Sequence, residues 1–266
     1  MKPRLTIVTP SYNQAAFLER TLRSVLDQGY EPLEYLVVDG GSTDGSVEII
    51  ERHADQLAWW VSEPDAGQTA ALNKGLRRAT GDIVAYINSD DYYLPGAFDA
   101  AVEALSRSDA RWAAGAARFV DDRDNVTEVW RAALPTTPRH RWVLDPVGWP
   151  QAASFWRRDL FEEFGLFRED MHYVFDTEFG LRLALAEVLP AIIDRELAVR
   201  VVHPEAKSWD RTPFELEEMK LLELYRGALT PTERLRMVLP AAGKRLALWR
   251  SHSALRRTKS NAAAEG

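Results

Sequence analysis

Over its first hundred residues the chain repeats one unit: a short apolar, partly β-branched run, a polar break, then apolar residues at helical spacing. Leu5-Thr6-Ile7-Val8 ends in Thr9-Pro10-Ser11, and residues 14–28 carry Phe17, Leu18, Leu22, Val25 and Leu26 at helical intervals. Leu36-Val37-Val38 ends in Asp39-Gly40-Gly41, and Ser42-Thr43-Asp44 supplies an N-cap for a helix over 44–53. Leu57 to Val61 reads as a third strand and residues 67–79 as a third helix, closed by Gly81. Ile83 to Ile87 reads as a fourth strand, ending in Asn88-Ser89-Asp90-Asp91. Strands apolar on both faces and separated by helices predict a parallel sheet covered on both sides. Such sheets bind ligands outside the carboxyl ends of their strands. Three polar clusters fall at such ends, so residues distant in sequence converge on one edge.

Beyond residue 108 the pattern is less regular. Arg111 to Val120 and Asn125 to Trp130 read as strands around the turn Asp121-Asp122-Arg123-Asp124. Residues 132–150, with Pro135, Pro138, Pro146 and Pro150, read as a long loop. Ala153 to Trp156 reads as a short strand, 175–187 as a helix, Leu197 to Val202 as a late strand, and 213–228 and 231–250 as helices. The expected division is a nucleotide-binding half over 1–108, an acceptor and catalytic half over 109–212, and a helical extension over 213–266.

Two adjacent carboxylates, Asp90 and Asp91, repel each other unless a cation or donor groups compensate. A divalent cation bridging to phosphate is one solution, since Mg²⁺ or Mn²⁺ takes one or two protein carboxylates and leaves the rest of its shell to the substrate. A capped turn before a helix near Pro95 is the other.

Four segments occur in order: Thr9-Pro10-Ser11-Tyr12-Asn13; Val38-Asp39-Gly40-Gly41-Ser42-Thr43-Asp44-Gly45; Asp65-Ala66-Gly67-Gln68 with Asn73-Lys74-Gly75; and Asn88-Ser89-Asp90-Asp91. They resemble the ordered motifs of family 2 glycosyltransferases, over residues 4–100 and again over 151–210. The resemblance implies the α/β GT-A fold, a nucleotide-binding, mostly parallel sheet sandwiched by helices, and transfer from a nucleotide-activated sugar. It implies that Pro10, Ser11 and Tyr12 line the nucleotide pocket and that Asp39 accepts from the base, most simply a uracil or thymine imide, so a UDP- or dTDP-sugar. It implies that Asp90 holds the ribose hydroxyls, that Asp91 ligates Mn²⁺ or Mg²⁺ on the diphosphate with Asp90 contributing, and that Gln68 and Lys74 stand near the ribose or sugar. Lys74 reads equally well as a solvated helix lysine.

An inverting transfer needs a carboxylate to take the proton of the acceptor hydroxyl. Leu166 to Leu183 resembles the family stretch whose helix-initiating Asp is that base, which puts the role on Asp176 with Glu178 as second choice. The frequent Glu-Asp pair is Phe175-Asp176 here. Acids stabilised at a helix N-terminus are the plainer reading of both. His203, with Lys207 close behind, resembles the late basic position that meets metal or diphosphate, with Lys207 also near the sugar; a surface-loop His with a solvated Lys is the other reading. Trp130, Trp142, Trp149 and Trp156 cluster beside Gln151. Residues 142–157 read as a wall for the acceptor sugar, with Trp149 and Trp156 otherwise core.

Charge divides the chain. Residues 231–266 hold eight basic and two acidic residues, +6, against −13 for the remainder. The acidic body argues against nucleic acid as a partner, while the alternating apolar and basic tail over 231–259 reads either as a contact with anionic membrane or as a helix packed on the acidic body. The longest uncharged stretch, Leu5 to Leu18, is too short and polar to span a bilayer, and Lys2 and Arg4 lead into no signal-like apolar run. The absence of Cys excludes a disulfide scaffold, a thiol nucleophile and Cys-ligated metal, and fits a cytoplasmic setting at the inner face of the membrane. The expected activity is glycosyl transfer to a saccharide or lipid-linked hydroxyl. A sugar nucleotidyltransferase would want a Gly-rich basic loop after the first strand, which Thr9 to Asn13 does not offer. An NAD-binding oxidoreductase would want Gly-x-Gly-x-x-Gly. A catalytically silent sugar-binding module would be free to lose Asp91 or Asp176.

Overall fold

A computed structural model of the chain describes residues 2–132, 149–209 and 212–231. Trp142, most of the expected long loop, and the tail from residue 232, with its expected helix and membrane contact, lie outside the described residues.

The first half follows the sequence pattern closely. Strands β1 (Leu5–Ser11), β2 (Leu33–Asp39), β3 (Trp59–Ser62) and β4 (Ile83–Tyr86) alternate with helices α1 (Ala15–Leu26), α2 (Ser46–Arg52) and α3 (Gln68–Arg78). They pair in parallel in the order β3-β2-β1-β4. Alternate residues of β1 feed different cores: Leu5 and Ile7 join Leu18, Leu22 and Val25 of α1, whereas Val8 joins Leu72 and Leu76 of α3. Close packing of α3 on β1 requires Gly75, where an added Cβ would lie 2.5 Å from Val8 Cγ1.

The second half adds antiparallel pairs to the parallel ones, so the sheet is mixed. A two-residue strand β5 (Tyr92–Tyr93), helix α4 (Ala97–Ser106), strands β6 (Trp112–Val120), β7 (Val126–Arg131) and β8 (Ser154–Arg157), helices α5 (Asp159–Phe164) and α6 (Phe175–Leu185), strand β9 (Ala191–Val201) and helix α7 (Thr212–Leu224) follow. The order continues β4-β8-β6-β9-β5, with β8 antiparallel to both neighbours, β5 antiparallel to β9 and β7 forming a hairpin on β6. Of these pairs, only β6 and β7 are joined by a turn too short to cross over, which fixes that pair as antiparallel, while β6 and β9 run parallel. Strand β7 is mostly exposed and β3 is half-buried, so neither is covered on both faces as expected. The sequence pattern missed β5 and α5 and placed the start of β9 six residues late.

Trp149 and Trp156 are core, which corrects their reading as sugar contacts. Trp156 stacks on Tyr86 and meets Phe161 and Phe179 edge-on. Trp149 is buried against the backbone of α6 at Gly180, where an added Cβ would fall 1.5 Å from its Cη2. Gly180→Ala is therefore expected to destabilise the chain by about 3 kcal/mol, the upper range for overpacking. A urea midpoint equal to that of the wild type would disprove this packing.

Candidate functional site

The carboxyl ends of β1 and β2 are knotted by their own motifs. Asn13 N–H donates to Ser42 Oγ (2.8 Å), and Thr43 N–H donates back to Asn13 Oδ1 (2.9 Å). Asp44 serves both helices, taking Ala15 N–H at the start of α1 (2.9 Å) and Ser46 N–H at the start of α2 (3.0 Å). Asp39 is 0% exposed and accepts from Gly41 N–H, Ser42 N–H, Ser42 Oγ and Ser62 Oγ at 2.6–3.1 Å. Its first observed role is thus to fold the glycine loop and hold β3. Pro10 is buried at this edge, and Ser11 has a buried Oγ with no hydrogen-bond partner. Tyr12 is 62% exposed and lies beside Gly40, an open aromatic face at the strand ends.

Asp90 and Asp91 follow β4. Asp91 is 2% exposed; its Oδ1 accepts from Val201 N–H (3.1 Å) and its Oδ2 from Asn88 Nδ2 (3.3 Å). Burial, and then the charge of Asp90, push the Asp91 carboxyl up to about 7, against the opposing pull of Arg200 and the two donors. Asp90 Oδ2 lies 3.2 Å from His203 Nε2, and His203 Nδ1 lies 3.2 Å from Glu205. The hydrogen bond to Asp90 raises the His203 pKa, with burial opposing and Glu205 assisting. Both imidazole nitrogens therefore face carboxylates. The structure brings His203 to the expected place, beside Asp90.

Among the described residues no group of three His, Cys, Asp or Glu side chains is arranged to hold an ion. The donor set fits Mn²⁺ or Mg²⁺ only in the form that completes its shell with phosphate. Asp91 supports that form: a dehydrated carboxylate beside a second one becomes favourable as an anion when a cation arrives.

Across the edge stands the segment before α6. Lys207 Nζ donates to Gln68 Oε1 (3.0 Å) and to the His172 carbonyl; Gln68 Nε2 donates to Asn88 Oδ1 (2.6 Å). A continuous polar chain thus runs from His172 through Lys207, Gln68 and Asn88 to Asp91. Asp176, in the first turn of α6, is half-buried; its Oδ1 accepts from Thr177, N–H at 2.7 Å and Oγ1 at 3.4 Å. Burial pushes its carboxyl up, with Thr177 and Arg200 opposing. Glu178 does not fit its expected place as second choice. Two residues further round the helix, it is 0% exposed, paired with Arg182 (2.8 Å) and bonded by the Tyr225 hydroxyl. A base must reach solvent-borne substrate, and Glu178 cannot.

Lys74 sits in an ion pair with Glu63 (2.7 Å), on a groove of about 570 Å³ with Trp59 and Arg77, rather than at a free position over the strand ends. Gln151 Nε2 donates to the Tyr86 carbonyl (2.9 Å) at the end of β4 and so braces the strand that carries the Asp pair. Sequence reasoning missed Arg200, whose charge acts on both Asp91 and Asp176. Its signal was a lone arginine inside the apolar run Val199-Arg200-Val201-Val202. It also gave no role to Asn88, the link between Gln68 and Asp91.

A family model described as Glycosyl transferase family 2 matches residues 6–182. An uncharacterised glycosyltransferase of Mycobacterium tuberculosis (strain H37Rv) is 34% identical over 188 residues, 69% of this chain and 70% of its own length. TuaG of Bacillus subtilis, a putative teichuronic acid biosynthesis glycosyltransferase, is 39% identical over 93 residues, 34% of this chain and 37% of its own. Among solved structures, S. aureus TarS 1–349 in complex with UDP-GlcNAc has a TM-score of 0.64 at 15% identity, over 87% of this chain and 69% of that one. The mannosyltransferase PcManGT from Pyrobaculum calidifontis, in complex with GDP-Man and Mn²⁺, has a TM-score of 0.57 at 22% identity, over 96% and 81%. These likenesses show the fold, which is GT-A.

Proposed function

The chain belongs to the family 2 glycosyltransferases, and on that premise we propose that it moves a sugar, with inversion, from a nucleoside-diphosphate sugar to a hydroxyl of a saccharide or lipid-linked acceptor. The observation that carries this reading is the pair Asp91 and Asp176. Both carboxylates stand at this edge, burial raises the pKa of both, and both feel the charge of Arg200. A silent binding module has no reason to keep two such groups on one edge.

In this reading the nucleotide lies over the ends of β1 and β2. The exposed Tyr12 ring offers a stacking face and the unpartnered Ser11 Oγ a hydrogen-bonding group. Asp39 meets the imide of a uracil or thymine base once Ser42 Oγ turns from Oδ1. TarS, which binds UDP-GlcNAc, favours uracil by analogy. Asp90 holds the ribose. Mn²⁺ or Mg²⁺ held by Asp91, with Asp90, would offset the charge of the diphosphate; PcManGT, which binds Mn²⁺, gives the same analogy. The acceptor hydroxyl attacks the anomeric carbon as its bond to the diphosphate oxygen breaks. Its proton passes to Asp176, and the diphosphate leaves with the bonding electron pair. Lys207, beside the polar chain from Gln68 to Asp91, lies where negative charge grows. No helix among the described residues is long and apolar enough to cross a membrane. Work at the inner face of the membrane rests on the basic tail alone.

A thermal-shift screen of UDP, dTDP and GDP with and without Mn²⁺ tests the donor side, because a ligand of the native state raises the midpoint. UDP or dTDP with Mn²⁺ is expected to give the largest shift. Asp91→Asn is expected to abolish that shift while leaving the ligand-free midpoint equal or higher, since it removes like-charge repulsion with Asp90. A wild-type shift in Asp91→Asn would sink the metal assignment.

Asp176→Asn is expected to keep the nucleotide shift and to lose turnover by about 10³-fold, the middle of the range for general base catalysis. Only the deprotonated carboxylate can accept a proton, and burial raises its pKa. The acid limb of kcat/KM is therefore expected above the ordinary carboxylate range, with activity rising as pH increases through it. A limb at an ordinary Asp value would place the base elsewhere.

A further inference from the structure

We propose that Glu217, on helix α7, is a positioning residue that aims Asp176: its carboxylate gathers three successive backbone amides at the entrance to α6 and fixes the turn that carries the base. The inference rests on the reading of Asp176 as that base. Glu217 Oε1 accepts from His172 N–H (2.7 Å), and Oε2 accepts from Tyr173 N–H (2.6 Å) and Val174 N–H (3.1 Å).

Val174 is the N-cap residue and makes no side-chain cap bond. The amides of His172, Tyr173 and Val174 form the turn that enters the helix, ahead of the amides an N-cap side chain would meet. Their acceptor comes from another helix. Glu217 is also the right kind of group, since an ionised carboxylate offers acceptors on both oxygens.

The rest of α7 makes that reach firm. Leu221 is buried in the core shared with Phe175 and Phe179, and Phe214 packs edge-on to Tyr173. Lys220 Nζ donates to the Asp170 carbonyl (2.7 Å) and pairs with its carboxylate (3.0 Å), while the Tyr225 hydroxyl donates to Glu178. Residues 217, 220, 221 and 225 share one face of a helix. That face grips the chain on both sides of Asp176, from 170 to 174 and at 178.

The same loop is tied to the donor side. The His172 carbonyl accepts from Lys207, which reaches Gln68 and, through Asn88, Asp91. Glu217 and Lys207 therefore hold one loop by its amides and its carbonyl, between the proposed base and the proposed diphosphate site. On this basis α7 belongs to the catalytic unit and is not an appendage beginning at residue 213.

The test uses the full chain and a panel of UDP-, dTDP- and GDP-hexoses, with water as acceptor and release of nucleoside diphosphate as the signal, well below each variant's melting midpoint. Glu217→Ala is expected to lower kcat about 100-fold, the cost of roughly 1 Å of misplacement. KM for the donor and the midpoint shift with UDP and Mn²⁺ are expected to stay within about twofold. Glu217→Gln, which keeps one accepting oxygen, is expected to fall between Ala and wild type. Wild-type kcat in Glu217→Ala, or a loss carried by KM or by the folded fraction, overturns the proposal. Asp176→Asn run alongside separates the two claims. If it stays active, or if wild type releases no diphosphate from any donor, the base reading fails and takes this one with it. If it is inactive while Glu217→Ala is not, only the role of Glu217 fails.

Discussion

A carboxylate withdrawn from water must be given donors, and the carboxyl-end edge of this sheet is organised by how unevenly that requirement is met. Asp39 has four donors, Glu217 has three amides, and Glu178 has Arg182 and Tyr225. These groups are satisfied, and each holds a loop or a helix. Among the described residues, Asp91 accepts from one backbone amide and from the Asn88 side chain, and Asp176 accepts from its neighbour Thr177. For these two, burial outweighs the donors, so their pKa values rise. A group left in that state gains from a cation or a proton arriving, which is the condition for chemistry at a carboxylate.

The dehydration comes from an aromatic floor. Tyr86, Trp156, Phe161, Phe167, Phe175 and Phe179 touch one another beneath this edge, with Phe161 and Phe179 stacked at 4.8 Å. Tyr86 closes the strand that leads to Asp90 and Asp91, and Phe175 immediately precedes Asp176. One packed cluster therefore sets the height of both carboxylates. Asn73 joins this floor to α3, since its amide bonds both the N–H and the carbonyl of Phe167. The Asn73-Lys74-Gly75 motif is thus architectural at Asn73 and Gly75, where the helix must meet Phe167 and β1 closely.

Local pattern was enough where an interaction partner lay nearby in sequence or where periodicity alone decided. The parallel order of β1 to β4, the helices between them, and the convergence of three polar clusters were legible because strands apolar on both faces have few other ways to pack. The pattern misled where partners were remote. Trp149 and Trp156 had the composition of a sugar-binding wall and became core, Trp149 against Gly180 and Trp156 against Tyr86, Phe161 and Phe179. Glu178 and Asp176 looked alike two residues apart; the turn of the helix buried one and left the other at the edge. Strand β5, two residues long, had no period to read.

By itself, then, the sequence determined the layered α/β architecture, the order of the motifs and which carboxylates stand at strand ends, since these follow from hydrophobic periodicity and turn chemistry within a few residues. Only the tertiary structure decided which carboxylates are satisfied and which are not. That depends on donors brought from far along the chain: Val201 to Asp91, Tyr225 to Glu178, and Glu217 to the amides before Asp176. Hydrogen bonding has a reach of about 3 Å, and no spacing along the chain specifies what will stand within it.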